Sequence, residues 1–140
     1  MQSFTQSVLA PVQPAPVPLV SLTKGGAHFL PALRNASASG RLSVSWYQRP
    51  DPNTTLTDVY LNTGIVPTDP NPAQTNNRVT NTTTDWGAVS SDVIPNFGDY
   101  TDNYVLATAT PPYTNKTLSI AWADGRLGLP QPFYASGSTP

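Results

Sequence analysis

The sequence contains no cysteine and no glutamate, and His28 is its single histidine. The absence of cysteine excludes disulfides, zinc–thiolate sites and a cysteine nucleophile. Because all eight acidic residues are aspartates, any carboxylate that acts as a general acid or base must be an aspartate. One isolated histidine is a poor basis for a metal site. We therefore predict neither a metal nor another cofactor.

Charged residues are also scarce, at 11% of the chain, and the formal net charge is only −1. The seven basic residues are spread from Lys24 to Arg126 without a cluster, whereas nucleic-acid binding needs a basic face. No apolar run approaches the roughly 20 residues that a membrane-spanning helix needs. The sequence therefore predicts neither a nucleic-acid partner nor a membrane partner.

The residues that are abundant favour strands and turns. The chain has 16 prolines and many threonine, asparagine, serine and valine residues, which are typical of strands and the turns between them. The predicted fold class is therefore all-β. Alternate prolines within residues 7–20 exclude a helix or a central strand there. Residues 62–77 and 82–95 are predicted to be long surface loops.

Two five-residue segments of the chain match closely. Residues 42–46 read Leu-Ser-Val-Ser-Trp and residues 118–122 read Leu-Ser-Ile-Ala-Trp, so Trp46 and Trp122 are 76 residues apart. Apolar and small residues alternate in both segments, which predicts two strands that each present one apolar face. Residues 42, 44 and 46 then share a face, and Trp46 and Trp122 are predicted to be core residues. Both segments are followed by a basic turn and a strand that contains a tyrosine. This order predicts two stacked antiparallel sheets of similar structure.

The sequence also carries short motifs that resemble a known family. Gly98-Asp99-Tyr100 followed by Trp122-Ala123-Asp124-Gly125-Arg126 resembles the last blade of the sialidase-like β-propeller superfamily. Residues 40–49 resemble the preceding blade, with Gln48 where the family often has an acidic residue. The family's Asp-box turn is not recognisable. The resemblance covers roughly residues 27–135 and implies about two antiparallel blades of a partial propeller.

The resemblance implies a domain organisation. Residues 1–26 form an extended proline-rich segment, residues 27–96 a first blade with its long loop, and residues 97–136 a second and last blade. Residues 137–140 are predicted to be a frayed tail. The resemblance also implies an extracellular or periplasmic protein, whose export signal does not lie in this chain.

Candidate site residues follow from the same resemblance. Sialidases use a tyrosine nucleophile, and Tyr100 falls where it would lie, with Asp99 beside it. The glutamate partner of that tyrosine is absent, and no complete arginine triad can be placed. Tyr100 can equally be a tyrosine that packs its ring and hydrogen-bonds its hydroxyl group.

Four further residues are candidates for ligand binding. Arg49 and Arg126 can each grip a sugar carboxylate in bidentate fashion, or tie one blade to the next. Asp124 can join a charged network at the ligand-binding edge, or stabilise its turn by accepting backbone amides. Trp86 can stack on a sugar ring, or hold its own loop against the blade.

Three functions remain open from the sequence. The first is a structural or glycan-binding propeller segment of an exported protein. The second is a fragment of an exo-sialidase or other glycoside hydrolase, whose catalytic set is completed by further blades. The third is a β-sandwich adhesin module. The expected partners are a glycan and either the remaining blades of a larger propeller or further copies of this chain.

Overall fold

A computed structural model of the 140-residue chain describes residues 26–36, 40–66, 68–69, 76–90, 101–107 and 116–138. Every regular element in these ranges is a β-strand, and all paired strands are antiparallel. The strands are β1 Ala27–Ala36, β2 Arg41–Arg49, β3 Leu56–Ile65, β4 Asn77–Arg78, β5 Thr84–Asp85, β6 Asp102–Ala107, β7 Lys116–Asp124 and β8 Gln131–Ser138. The predicted all-β fold class is confirmed.

The strands form two sheets with simple up-and-down connections. The first sheet has the order β1-β2-β3-β4, and the short strand β5 also pairs with the start of β3. The second sheet has the order β6-β7-β8. The two matching sequence segments lie on β2 and β7, so each forms the centre of a meander.

Several strands differ from the predicted boundaries. β3 continues to Ile65, into the predicted loop at residues 62–77, because Gly64 takes a positive φ of 75° that absorbs an extra residue opposite β2. β5 lies within the second predicted loop. β8 continues to Ser138, so residues 137 and 138 belong to a paired strand instead of the predicted frayed tail.

The two sheets stack face to face around a shared core. Tyr47 and Val59 of the first sheet pack against Ile120 and Trp122 of the second. Leu61 and Leu118 extend the same contact. Residues at alternate positions of a strand point to the same face, so residues 118, 120 and 122 all turn toward the first sheet.

The opposite face of the first sheet holds a second apolar cluster. Trp46, Val44 and Ile65 are buried there, with Leu42 and Tyr60 packed against them. The predicted sharing of one face by residues 42, 44 and 46 is thus confirmed. The strand β2, inside the first sheet, is therefore buried on both faces.

A buried amide joins the sheets where β6 crosses β1 and β2. Asn103 donates through Nδ2 to the carbonyl of Ala32 at 2.8 Å and to the Ser45 hydroxyl at 3.0 Å. The Ser43 hydroxyl donates to Asn103 Oδ1. Both the N–H groups and the oxygen of the Asn103 amide are thus hydrogen-bonded inside the interface. These bonds fix the position of one sheet on the other.

Candidate functional site

The candidate site lies where β7 ends and turns. Here Asp124, Gly125 and Arg126 of the second sheet meet β5 and the loop that follows it. This segment is part of the motif that resembles the sialidase-like propellers. It contains Asp124 and Arg126, two of the residues predicted as ligand-binding.

Asp124 is a fully buried carboxylate with four hydrogen-bond donors. Oδ1 accepts from the Thr84 hydroxyl at 2.7 Å and from the backbone N–H of Arg126 at 2.9 Å. Oδ2 accepts from Trp122 Nε1 at 3.0 Å and from Arg126 Nη2 at 2.6 Å. The carboxylate therefore ties its own turn, the core indole and β5 together.

The electrostatics of Asp124 favour the ionised form. Burial raises its pKa, but hydrogen bonds from Arg126, Trp122 and Thr84 outweigh burial and lower the pKa to about 2. A general acid that works near neutral pH needs a raised pKa. Asp124 is thus suited to holding structure and not to donating a proton.

Gly125 lets the loop after β5 approach the turn closely. A Cβ at this position would lie 2.3 Å from Cγ2 of Val89 and 3.4 Å from the Trp86 ring. The Asp-Gly-Arg sequence therefore needs glycine for space, because any side chain would push this loop away.

A second carboxylate network lies at the start of β3. Asp58 Oδ1 accepts from Arg78 Nη2 at 2.7 Å and from the Thr80 hydroxyl at 2.8 Å. The Thr83 hydroxyl donates to Oδ2 at 3.2 Å. This network holds β4 and the following residues against β3, next to the Thr84 contact with the second sheet.

The structure places the predicted arginines in separate contacts. Arg126 pairs with Asp124 and lies over the Phe133 ring at 4.5 Å. Arg49 lies over the Phe29 ring at 5.8 Å, in the first sheet. Arg126 also donates through Nη1 to Oδ1 of Asn81, which lies between β4 and β5 of the first sheet, so this guanidinium contacts both sheets. The contact of Arg49 with Phe29 lies within the first sheet.

The structure places Trp86 inside the fold. Its indole is 8% exposed, and its backbone N–H donates to the carbonyl of Thr55 at 3.2 Å. This burial agrees with the alternative in which the ring holds its loop against the sheet. The two catalytic candidates, Asp99 and Tyr100, lie outside the described residues.

Three residues of the inter-sheet contact were not predicted from the sequence. Tyr47 donates its hydroxyl to the carbonyl of Ala123 and accepts from the Ala123 N–H, both at 2.8 Å. Burial raises the pKa of Tyr47 well above its ordinary value, against the effect of the backbone hydrogen bond. The other two residues are Asn103, which donates to Ala32 and Ser45, and Thr84, which donates to Asp124. A polar residue within a strand was the available signal for Asn103.

The described residues contain no cluster of three or more side chains of the kinds that hold a metal ion. Within the same ranges no helix is long and apolar enough to cross a membrane.

Comparisons with protein-family models, curated proteins and solved structures found no significant match. Function is therefore inferred from this geometry.

Proposed function

We propose that the chain is a structural segment of a sialidase-like β-propeller in an exported protein, with two sheets that stack in series as neighbouring blades. Blades of this architecture are four-stranded antiparallel meanders that surround a central channel. The β1-β2-β3-β4 order has this form, and β6-β7-β8 supplies three strands of the next unit.

The observation that separates the proposal from the sandwich alternative is the burial of both faces of β2. Trp46 and Tyr47 are adjacent, so their side chains point to opposite faces, yet they are only 2% and 1% exposed. A β-sandwich has one core between two sheets, and its outward-facing residues are polar. Burial of the Trp46 face therefore argues against a simple two-sheet sandwich. The described residues that pack there all belong to the first sheet, so serial stacking is supported by the contact between the two sheets.

The repeat supports the same proposal. Tyr47 and Ala123 are 76 residues apart, the same separation as Trp46 and Trp122, and they are in direct contact. When similar sheets stack in the same orientation, equivalent residues become neighbours. The Tyr47–Ala123 contact is what this arrangement requires.

The charged side chains of the candidate site support a structural role. Arg126 and Asp124 neutralise each other, and Arg78 and Asp58 do the same. A site that grips a sugar carboxylate needs an arginine whose donors face the ligand. The Arg126–Asp124 pair instead holds the turn after β7, and the Arg78–Asp58 pair holds β4 against β3.

The accessibility of Trp46 tests serial stacking. A variant with Trp86→Phe and Trp122→Phe keeps Trp46 as its only indole, and we expect blue-shifted emission with weak acrylamide quenching because the ring is buried. A reference with all three tryptophans replaced by phenylalanine and Tyr134→Trp added places an indole at an exposed position. Quenching of Trp46 as strong as in that reference would contradict the proposal.

A further inference from the structure

The Trp46 face of the first sheet is covered, but not by the second sheet. Trp46, Ile65 and Val44 are 2%, 4% and 7% exposed. The described residues that pack with them all belong to the first sheet, whereas the second sheet packs on the opposite face. Side chains stand roughly perpendicular to their sheet, so neighbours in one sheet shield each other's sides but not their outer ends. The Trp46 face therefore has a further occupant.

Three aromatic rings form a row across this face. The Trp46 ring stacks on the Tyr60 ring with centroids 6.0 Å apart, and the His28 ring meets the Trp46 ring edge-on, also at 6.0 Å. Trp46 Nε1 and His28 Nε2 are buried and have no hydrogen-bond partner within the part of the chain that the structure describes. A buried indole N–H generally has an acceptor. The occupant should therefore supply hydrogen-bond acceptors as well as apolar surface.

Residues 7–20, which lie outside the described residues, have the composition that such an occupant needs. They contain four prolines, eight other apolar residues and no charged residue. Proline-rich sequences favour the polyproline II conformation, whose backbone makes no internal hydrogen bonds and leaves its carbonyl groups free. Aromatic-lined grooves bind this conformation. The segment thus offers both the apolar rings and the acceptors that the Trp46 face lacks.

The chain enters β1 beside this face. Gly26 packs against the turn after β2, where a Cβ would lie 2.7 Å from the carbonyl oxygen of Arg49. His28 follows two residues later and already contacts the Trp46 ring. Six extended residues, the separation between residues 20 and 26, span up to about 20 Å. The glycines at positions 25 and 26 favour a turn, so the preceding segment can fold back over the face.

We propose that the Trp46 face is a groove for proline-rich segments in the polyproline II conformation, and that residues 7–20 of this chain occupy it. Prolines of the segment stack on the Trp46 and Tyr60 rings. The Trp46 indole N–H donates to one backbone carbonyl of the segment, and the Nε2–H tautomer of His28 donates to another. Serial stacking concerns the opposite face of β2, so this inference goes beyond it.

The short connection between the segment and β1 sets the affinity that the groove needs. A short flexible linker gives an effective concentration on the order of 1 mM. Occupancy of about nine-tenths at that concentration requires a Kd of about 0.1 mM. A free peptide of residues 7–20 should therefore bind to a chain that lacks residues 1–20 with a Kd of about 0.1 mM or lower.

Removal of residues 1–20 tests the occupant. The chain with Trp86→Phe and Trp122→Phe has Trp46 as its only indole, and we expect acrylamide to quench it weakly. After removal of residues 1–20, quenching should be as strong as in the Tyr134→Trp reference protein. The peptide of residues 7–20 should restore protection. A peptide with its four prolines replaced by alanine should bind at least about tenfold more weakly, because it is not pre-organised.

Trp122 is the control indole. It packs between the two sheets, so in the chain with Trp46→Phe and Trp86→Phe its quenching should not change when residues 1–20 are removed. If Trp122 is also exposed, the truncated chain has unfolded. The full-length chain with the four prolines of residues 7–20 replaced by glycine then takes its place, and there only Trp46 should become accessible.

Hydrogen exchange of the Trp46 indole N–H, followed by NMR, tests the hydrogen bond. Exchange should be slow in the full chain and in the peptide complex, and fast in the truncated chain. Quenching of the full chain alone bears on the burial of both faces of β2. The change on truncation belongs to the proline-rich segment alone.

Three results would overturn the inference. The first is a Trp46 indole that stays protected in a folded chain without residues 1–20, because another part of the chain then covers the face. The second is equal binding of the proline and alanine peptides. The third is protection in the full chain that is lost on dilution as a dimer dissociates in sedimentation velocity, since this would assign the cover to a second copy.

Discussion

Replacing Trp122 by alanine is expected to lower the free energy of unfolding by about 4 kcal/mol, because the loss of a large aromatic side chain leaves a cavity in the shared core. The indole packs with Tyr47, Val59 and Ile120 between the two sheets. Its Nε1 also donates to Asp124, so the substitution removes one of four hydrogen bonds to a buried carboxylate. Urea denaturation measures the loss.

The control for Trp122→Ala is Tyr134→Ala on the opposite face of the same sheet. Tyr134 is exposed, so its truncation should change the free energy of unfolding by no more than about 0.5 kcal/mol. The loss of unfolding free energy for Trp122→Phe should lie between those for Trp122→Ala and Tyr134→Ala, because phenylalanine keeps an aromatic ring but lacks the N–H donor. Equal effects at Trp122 and Tyr134 would contradict the shared core.

Asp124→Asn is expected to lower the free energy of unfolding by about 3 kcal/mol at pH 7, because it leaves Arg126 without its counter-ion in a partly buried setting. Asp102→Asn is the matched control. Asp102 also pairs with an arginine, Arg34, at 2.7 Å, but these side chains are 54% and 49% exposed. An exposed pair of this kind contributes less than about 1 kcal/mol.

The pH dependence gives an independent check on Asp124. Its folded pKa of about 2 lies below the ordinary 3.8, so the ionised form stabilises the fold. That stabilisation, roughly 2 kcal/mol from the shift, is present above pH 4 and is lost as the pH falls toward 2. The difference in the free energy of unfolding between wild type and Asp124→Asn should therefore become smaller as the pH falls from 4 toward 2. A difference in the free energy of unfolding that is unchanged from pH 6 to pH 2.5 would contradict a stabilising role of the ionised Asp124 carboxylate.

The apolar pattern of the central strands was predictable from the sequence because it depends on local periodicity. Alternation placed residues 42, 44 and 46 on one face and identified Trp46 and Trp122 as core residues, and both tryptophans are buried. The same alternation does not say which face meets which sheet. That the Tyr47 face, and not the Trp46 face, receives the second sheet follows only from the tertiary structure.

The candidate site was only partly predictable because its contacts join residues that are far apart in the chain. The Asp124–Arg126 pair spans two positions, and a turn motif can suggest it. Thr84 bonds Asp124 from 40 residues away, and Asn103 bonds Ser45 from 58 residues away. Threonine is common throughout this chain, so nothing local distinguishes Thr84. For Asn103 the one local signal is a polar residue within a strand, and it does not say which residues the amide will bond.

The central claim is that two similar sheets stack in the same orientation, with the Tyr47 face of the first against the Trp122 face of the second. Nuclear Overhauser effects in a uniformly labelled sample measure this contact directly. The account predicts strong effects between the Tyr47 ring protons and the Ala123 amide proton, and none between the indoles of Trp46 and Trp122. Effects between the two indoles, without any from Tyr47 to Ala123, would contradict it.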